Sequence, residues 1–420
     1  MIRSTKHTLK YTNSGKRDLI LLILAEYRTL VHLIINKIWD EGYEKFNPLT
    51  KQLELQKLLP SAFANQFDTW LSARLRQCAG KQALGMIRAA TEKQRKRFFV
   101  LKKLQKKKKD HANLQRYIDT HPLVKPTTKH INMELDSRFV DFSEQDSEFD
   151  LFIRLSSIGN KYQVRIPVKH HEVSRKWLAK GTLKKSIRVS ERSLTLIYDV
   201  PDKKRKKKGR VVGCDQGYLT AASFSDQQTT PETCPHGHTL KSVCTKLARK
   251  RSGSRGSSRA REHRKNFINW SLNQIDFSDV NEVRLEEVIN LRKGKKQFNK
   301  SLMHWTYTQI RRKLEARAET EGFCLSSVPS VYRSQRCSKC GWVLKANRKG
   351  KTFRCRSCSN EQDADLNAAS NLELDLPKIP FWVRQQKTNL AGFFWNQDGL
   401  FSADHESIVR GTKRTKGDIS

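Results

Sequence analysis

Two Cys-x-x-Cys pairs in the last quarter of this 420-residue chain constrain its fold more than any other feature. Cys337 and Cys340 form the first pair, Cys355 and Cys358 form the second, and 14 residues lie between them. Four thiolates at this spacing predict one tetrahedral Zn2+ ion, and a site closed by four protein ligands is structural. We expect residues 342–344 and 352–354 to form the two strands of a zinc ribbon.

Three acidic residues predict a second metal site. Asp215 ends an apolar strand, Glu286 follows another, and Asp365 opens a helix just after the second cysteine pair. Each alone would more often be a turn former or a helix cap. Together, three carboxylates suit two Mg2+ or Mn2+ ions, which activate water and stabilise the leaving oxygen of a phosphodiester. The predicted reaction is in-line hydrolysis that leaves 5′-phosphate and 3′-hydroxyl ends.

The charge of the chain predicts a polyanionic partner. Lysine and arginine number 82 against 42 aspartates and glutamates, a formal net charge of +40. Nucleic acid neutralises such a charge, whereas a solvated helix surface is the alternative interpretation of each basic segment. The residues that we expect to contact nucleic acid are Lys93, Arg95, Lys96, Arg97, Lys106, Lys107, Lys108, Lys109, Arg249, Lys250 and Arg251. No apolar run approaches the roughly 20 residues of a membrane helix, and no signal peptide is expected.

The remaining cysteines predict a reducing compartment. They are scattered and odd in number, which argues against a disulfide framework. These cysteines are Cys78, Cys214, Cys234, Cys244 and Cys324. A second zinc site would draw on Cys234, Cys244 and two nearby histidines, His236 and His238. Their spacing is irregular, so an ordinary loop is the favoured interpretation.

Hydrophobic periodicity divides the chain into two halves. The first predicts a strand before residue 17, a helix over 18–39, a helical block over 50–118 and short strands within 130–200. We interpret these strands as a small β-barrel that the N-terminal strand completes and the helices interrupt. Residues 203–209 form a basic linker, for which a nuclear-localisation signal is the alternative. From residue 210 onward, strands and helices alternate around the acidic positions, as in an α/β ribonuclease H-like core.

Four motifs, in this order, resemble the RNA-guided RuvC-type nucleases, namely the transposon-encoded TnpB proteins and the miniature type V CRISPR effectors. Residues 213–217, 285–288 and 365–371 resemble the three RuvC motifs, and residues 334–341 with the later cysteine pair resemble the inserted zinc ribbon. The resemblance implies that Asp215, Glu286 and Asp365 are catalytic and bind two Mg2+ or Mn2+ ions, while Asp363 does not. Gln216 and Arg333 depart from the usual residues, but neither departure removes a metal ligand.

The resemblance also implies an architecture of α/β, all-β and helical parts. We expect a wedge β-barrel over 1–17 and 130–209, a helical recognition domain over 18–129, a RuvC core over 210–331 and 359–376, and a zinc ribbon that binds the target nucleic acid over 332–358. The aromatic tail, 377–420, either packs on the core or is disordered, and the sequence assigns it no role.

The function that this resemblance implies is RNA-guided, Mg2+-dependent DNA cleavage beside a short flanking motif. The expected partners are a guide RNA, from a transposon end or a CRISPR array, and a target DNA, with no membrane. The protein would act as a monomer or as an asymmetric dimer on one RNA, in a prokaryotic cytoplasm at the nucleoid. A guided DNA-binding protein or repressor without cleavage is the alternative. A guide-independent nuclease or a zinc-ribbon DNA-binding factor is a third possibility.

Overall fold

The computed structural model describes residues 1–47, 52–144, 147–288 and 307–408. The chain divides into two compact units, Met1–Pro201 and Asp202–Ser420. Within the described ranges, no helix combines the length and apolar character needed to cross a membrane. Residues 290–297, whose basic sequence predicts a loop, lie outside the described residues.

The first unit contains nine strands and five α-helices within the ranges described. Its strands are β1 Ile2–Thr8, β2 Phe46–Asn47, β3 Gln52–Leu53, β4 Met133–Leu135, β5 Val140–Ser143, β6 Leu151–Leu155, β7 Val164–Val168, β8 Thr182–Val189 and β9 Ser193–Asp199. Its helices are α1 Ser14–Asp40, α2 Pro60–Ala64, α3 Ala73–Lys106, α4 Ala112–Thr120 and α5 Glu172–Leu178.

Two antiparallel sheets form the β part of this unit. The first has the order β1-β9-β8-β4 and the second the order β5-β6-β7. Strand β1 pairs with β9 from Ile2 opposite Asp199 to Thr8 opposite Ser193, so the predicted joining of the N-terminal strand to the later strands is confirmed. Along β6 and β7 alternate side chains are buried, as the strand period of two requires. Closure into a barrel stays a prediction.

The two long helices of this unit begin at side-chain caps. Asn13 accepts a hydrogen bond from the backbone N–H of Lys16 at 3.1 Å, and α1 starts there, four residues earlier than predicted. Ser72 caps α3 in the same way through Leu75 at 3.2 Å. The helical block predicted over 50–118 is present but interrupted, and residues 52–53 form a strand instead. The β2–β3 pair comes first, and Pro60 then starts the short helix α2. Residues 65–72 connect α2 to α3, and α4 is a separate helix after α3.

The second unit contains ten strands and five α-helices in its described part. Its strands are β10 Arg210–Gln216, β11 Ala222–Phe224, β12 Val280–Glu287, β13 Cys324–Pro329, β14 Trp342–Val343, β15 Arg348–Lys349, β16 Thr352–Arg354, β17 Glu361–Asp363, β18 Phe393–Asn396 and β19 Gly399–Phe401. Its helices are α6 Leu240–Ala248, α7 Arg255–Asn273, α8 Tyr307–Glu321, α9 Ala364–Glu373 and α10 Phe381–Gln385.

A four-stranded sheet with the order β11-β10-β12-β13 forms the centre of this unit. Strands β10, β12 and β13 are parallel, whereas β11 is antiparallel to β10. Helices α7 and α8 bury Phe267, Ile268, Ile310 and Leu314 in the same apolar cluster as the strand residues. The predicted mixed α/β character of this half is thereby confirmed.

The two strands predicted for the zinc ribbon do not pair with each other. Strand β16 pairs with β15 and β17, whereas β14 pairs with β18 of the C-terminal tail, Trp342 opposite Phe394 and Val343 opposite Phe393. The described part of the tail therefore packs on the ribbon, and Phe393, Trp395, Val383 and Leu400 form an apolar cluster with Val343. Sequence reasoning missed this pairing because the partners lie about fifty residues apart in the chain.

Gly213 lets α9 approach strand β10 closely. A β-carbon at this position would lie 2.0 Å from the carbonyl oxygen of Ala369 and 2.7 Å from the backbone nitrogen of Glu373. Both atoms belong to the backbone of α9, which cannot give way as the end of a flexible side chain would. Glycine at 213 thus fixes the distance between Asp215, two residues along β10, and the helix that carries Asp365.

We expect Gly213→Ala to lower stability by about 1–3 kcal/mol, the usual cost of overpacking a core. Thermal unfolding followed by circular dichroism measures the effect. Gly85→Ala is the matched control, because a β-carbon at Gly85 of α3 would meet open space, and alanine there favours the helix by about 0.5–1 kcal/mol. Equal melting temperatures for the two variants would contradict the close contact.

Candidate active site and metal centre

The four cysteines of the two Cys-x-x-Cys pairs, each of which we call a knuckle, meet at one point. Their sulfur atoms all lie within 4.8 Å of one another, with Cys337 3.7 Å from Cys358 and Cys340 3.6 Å from Cys355. Tetrahedral Zn2+ with Zn–S bonds of about 2.3 Å requires sulfur–sulfur separations of about 3.8 Å. The backbone N–H groups of Ser357 and Cys358 each point to the sulfur of Cys355 at 3.4 Å. The donor set and its spacing therefore fit one structural Zn2+ ion.

The knuckle is tied directly to the helix that carries Asp365. Asn367 and Asn371 lie one turn apart on α9, and each donates a hydrogen bond to the carbonyl of Arg336, at 2.8 and 2.7 Å. Asn367 also accepts from the backbone N–H of Ser338 at 3.0 Å. The asparagines of the third motif thus hold the loop that contains Cys337. Because these bonds join the loop to α9, the position of α9 depends on the fold of the first Cys-x-x-Cys pair.

Two buried arginines extend this connection. Arg336 donates to the Asn371 side chain at 2.6 Å and to the carbonyl of Trp395 in the tail at 2.7 Å. Arg333, the unusual residue before the first knuckle, donates to the carbonyls of Asn371 and Leu374 at the end of α9. Burial lowers the pKa of both guanidinium groups to about 10, so both remain charged at neutral pH.

Parallel pairing brings two of the predicted carboxylates together. Cys214 on β10 lies opposite Leu285 on β12, so that Asp215 and Glu286 are adjacent at the carboxyl ends of neighbouring strands. In open α/β sheets this is the edge at which ligands bind. Gln216 reinforces the register by donating to the carbonyl of Glu286 at 3.2 Å.

The third carboxylate arrives on α9. Asp363 caps this helix, because its side chain accepts from the backbone N–H groups of Asp365 at 2.8 Å and Leu366 at 3.0 Å. Asp365 therefore lies in the first turn, and its side chain is almost fully buried. Asp363 therefore caps the helix, whereas the carboxylate of Asp365 takes no part in the cap.

The carboxylates influence one another electrostatically. Burial, and then the negative charges of Glu286 and Asp365, hold the pKa of Asp215 well above its usual range. Burial raises the pKa of Glu286 to about 7. Raised carboxyl pKa values mean that charge at this edge is costly unless a cation compensates it. Divalent ions are one source of that compensation, and nearby lysine and arginine side chains are another.

The ribbon supplies two such cations. Arg348 lies 2.7 Å from one oxygen of Asp365, and Lys351 lies 3.0 Å from the other. Lys351 also donates to the hydroxyl of Thr220 at 2.7 Å, which in turn donates to Glu232 at 2.9 Å. Sequence reasoning missed both cations, since nothing in their spacing distinguishes them from the other basic residues.

Among the described residues, only the four cysteines form a group of three or more metal-ligating side chains whose ligand atoms converge. Asp215, Glu286 and Asp365 are brought to one edge of the sheet, but both oxygens of Asp365 contact the ribbon cations. The catalytic and Mg2+-binding roles of these three residues stay predictions.

The predicted nucleic-acid contacts lie on the surfaces of both units. Lys93, Arg95, Lys96, Arg97 and Lys106 are on α3, and Lys107, Lys108 and Lys109 follow it directly. Arg249, Lys250 and Arg251 are exposed just after α6, beside a groove of about 600 Å³ that Lys241 and Lys246 also line. Their contact with nucleic acid stays a prediction.

The residues considered for a second zinc site lie in different environments. Cys244 is buried in the apolar core of the second unit. Cys234 and His238 close a tight turn, in which the N–H of Cys234 donates to the carbonyl of His238 at 2.9 Å. His236 is exposed on that turn.

Comparison with known proteins supports the resemblance drawn from the motifs. Residues 307–372 match the family model described as Cas12f1-like, TNB domain. The chain is 37% identical over 93 residues to a CRISPR-associated endodeoxyribonuclease Cas12f1 of Sulfoacidibacillus thermotolerans, a match that covers 22% of this chain and 21% of the relative. It is 35% identical over 81 residues to the putative RNA-guided DNA endonuclease InsQ of Escherichia coli K12, covering 19% and 20%.

A solved structure, the Cas12f1–sgRNA–target DNA complex, shares the fold. The similarity has a TM-score of 0.50 at 16% sequence identity and covers 85% of this chain and 82% of that one. The sequence matches span about a fifth of the length of the two relatives named above. The predicted resemblance to TnpB-like proteins and miniature type V effectors is thus confirmed, and the residues that match the family model, 307–372, include the ribbon and nearly all of α9.

Proposed function

We propose that this protein is an RNA-guided DNA endonuclease that hydrolyses phosphodiester bonds with divalent metal ions. The observation that carries the proposal is the parallel register of β10 and β12, which sets Asp215 beside Glu286, together with the packing of α9 on Gly213. The relatives named above, an endodeoxyribonuclease and a putative RNA-guided DNA endonuclease, support the same activity.

Within this proposal the second unit is a RuvC-type core, over 210–331 and 359–376, interrupted by a zinc ribbon at 332–358. Asp215, Glu286 and Asp365 would hold two Mg2+ or Mn2+ ions, which supply an activated water and stabilise the leaving oxygen. The buried environment of the three carboxylates suits this role, since burial and mutual repulsion make them take up cations. Zn2+ at the four cysteines would have a structural role only.

Arg348 and Lys351 contribute positive charge at the same edge. Both contact Asp365, so a phosphate group that approached this carboxylate would also meet a guanidinium and an ammonium group. Positioned cations are a common means of stabilising charge that develops on phosphoryl oxygens. Binding of the substrate and ions would then exchange the present ion pairs of Asp365 for contacts with the phosphate.

The partners in this proposal are a guide RNA and a target DNA with a short flanking motif. A net charge of +40 supports polyanionic partners, and the ribbon exposes Lys339, Lys345, Lys349, Arg354 and Arg356 toward solvent. The first unit would provide the wedge barrel, over 1–17 and 130–209, and the helical recognition domain, over 18–129. The protein would work beside DNA in a prokaryotic cytoplasm, as a monomer or an asymmetric dimer on one RNA.

A guided DNA-binding protein without cleavage is the second candidate. The observation that favours it is the engagement of both Asp365 oxygens by Arg348 and Lys351. Intact carboxylates at all three positions favour cleavage instead.

Purification with bound RNA followed by a cleavage assay tests the proposed function. We expect one defined RNA species to co-purify, and that RNA to direct Mg2+-dependent cutting of a plasmid library with a matching target and a randomised flank. Omission of Mg2+ and Mn2+ should abolish cutting while guided binding persists. Guided binding without any cutting would support the second candidate. Cutting that needs no guide, or random co-purified RNA, would contradict RNA guidance.

A further inference from the structure

A cavity in the first unit lies beside the predicted nucleic-acid surface and has no role in the function proposed above. Its volume is about 960 Å³, and it lies between the second half of α3 and the end of α4. Leu53, Thr91 and Ile118 are buried in its lining, while Pro122 and Leu123 form one edge. A cleft of this size and apolar lining is typical of sites that hold one small organic group.

Two phenylalanines of α3 line this cavity and remain open to solvent. Phe98 is 45% exposed and Phe99 is 52% exposed, large fractions for aromatic rings on a packed helix. The guanidinium of Arg95 lies over the ring of Phe99, 5.2 Å from its centre. Exposed aromatic rings next to arginine are the usual platform for unpaired nucleobases, which stack on them regardless of the sugar.

Glu44 places an acceptor in the wall of the same cavity. Its Oε2 atom is buried and has no hydrogen-bond partner among the residues that the structure describes. A buried carboxylate oxygen without a donor is costly, so the site calls for a ligand with N–H groups. Guanine carries two adjacent donors, N1–H and the N2 amino group, on its Watson–Crick edge, whereas uracil has a single N–H between two carbonyls.

Two lysines beside the cavity are placed to contact a phosphate backbone. Lys45 and Lys102 line it together with the acids Glu44 and Asp119, whereas the lining Arg95 is ion-paired with Glu92 at 2.7 Å. Further lysines continue along α3 and beyond its end, over the predicted contact surface. A strand whose phosphates followed these cations could insert one base between them.

We propose that this cavity binds one unstacked guanine base of single-stranded RNA, which stacks on Phe98 and Phe99 and donates to Glu44. The proposal rests on the proposed function only in naming RNA as the source of the base. In that function the target DNA strand is paired with the guide, whereas sequence-specific proteins recognise RNA mainly at unpaired bases.

Fluorescence anisotropy with short labelled RNAs tests the proposal. The probes are an oligouridylate of about twelve nucleotides, the same oligomer with one central guanosine, and one with inosine, which lacks the N2 amino group. We expect the guanosine oligomer to bind the wild-type protein about tenfold more tightly than oligouridylate at fixed salt, with inosine between them. This comparison needs no variant and so does not depend on the folding of one.

Variants then assign the contacts. Glu44→Gln should bring the guanosine and uridine oligomers close to equal affinity, and Phe99→Ala should weaken both oligomers. Lys106→Ala is the control, since a phosphate contact weakens all oligomers alike and lowers the salt dependence. Circular dichroism confirms that each variant is folded.

Equal affinity of the wild-type protein for the guanosine and uridine oligomers would overturn the proposal. So would tighter binding of the 2′-deoxy oligomers, which would make single-stranded DNA the occupant, or a dimer in sedimentation that Phe99→Ala dissociates, which would make it a second copy of the chain. Base discrimination without guided DNA cutting would overturn the proposed function alone. Guided cutting without base discrimination would overturn the cavity assignment alone.

Discussion

Replacing Asp365 with alanine is expected to abolish DNA cleavage while the protein still binds its guide RNA and target DNA. Asp365 lies in the first turn of α9, at the sheet edge where Asp215 and Glu286 meet, and would hold metal ions with them. Removal of one preorganised electrostatic group commonly lowers kcat by about 10²–10³-fold, and loss of a shared metal ligand should cost at least as much. Single-turnover cleavage, with binding measured by mobility shift, gives both quantities.

Asp363→Asn is the matched control for this experiment. Asp363 is equally acidic and lies two residues earlier, but its carboxylate caps the helix. Asparagine caps helices about as well as aspartate, so this variant should retain cleavage. Cleavage at the wild-type rate by the Asp365→Ala variant would show that Asp365 is not part of the active site.

Loss of the zinc site is expected to disorder the ribbon together with the tail. Cys340→Ser should lower bound zinc from one ion per chain to well below one. Apparent binding energies of structural zinc reach about 10–16 kcal/mol in small zinc-finger peptides, so the knuckle should not keep its fold without the ion. Strand β14 begins just after Cys340, and it pairs with β18. Residues 381–401 should therefore become sensitive to protease along with the knuckle.

The same variant should also reduce cleavage, because Asn367 and Asn371 attach the knuckle to α9. Cys234→Ser is the control, and it also tests the second zinc site considered from the sequence. It should leave the zinc content and the protease pattern unchanged. A tail that stays protected after zinc is lost would contradict the coupling. Zinc content is measured by mass spectrometry after gel filtration.

Local chemistry explains which parts of the site could be predicted. The cysteine spacing is sufficient to predict the zinc ligands, because a Cys-x-x-Cys pair can place both sulfurs on one ion. Asp215 and Glu286 were identifiable as ends of apolar strands, and the adjacency of the two strands follows from parallel α/β topology. Asp365 could be distinguished from Asp363 only through the resemblance, and the structure adds the capping role of Asp363.

What the sequence did not reveal depends on contacts between distant positions. The pairing of Trp342 with Phe394 joins segments that have no local sign of each other, so the ribbon strands were paired incorrectly. Arg348 and Lys351 gain significance only because β15 and β16 fold back toward α9. The interruptions of the helical block over 50–118 could not be predicted either. Helix propensity does not show that Leu53 belongs to a strand pair or that residues 65–72 connect two helices.

The pairing of β1 with β9 sets an order for folding during synthesis. Ile2 lies opposite Asp199, so the first strand has to wait for about two hundred residues before its partner exists. At about 5–20 residues per second, this takes roughly 10–40 s on the ribosome. All strands of the first sheet have been synthesised by Val200. The sheet β14-β18-β19, by contrast, is complete only when Phe401 has been added. The first unit can therefore fold before the segments that carry Asp215, Glu286 and Asp365 have all been synthesised, and the second unit is completed last.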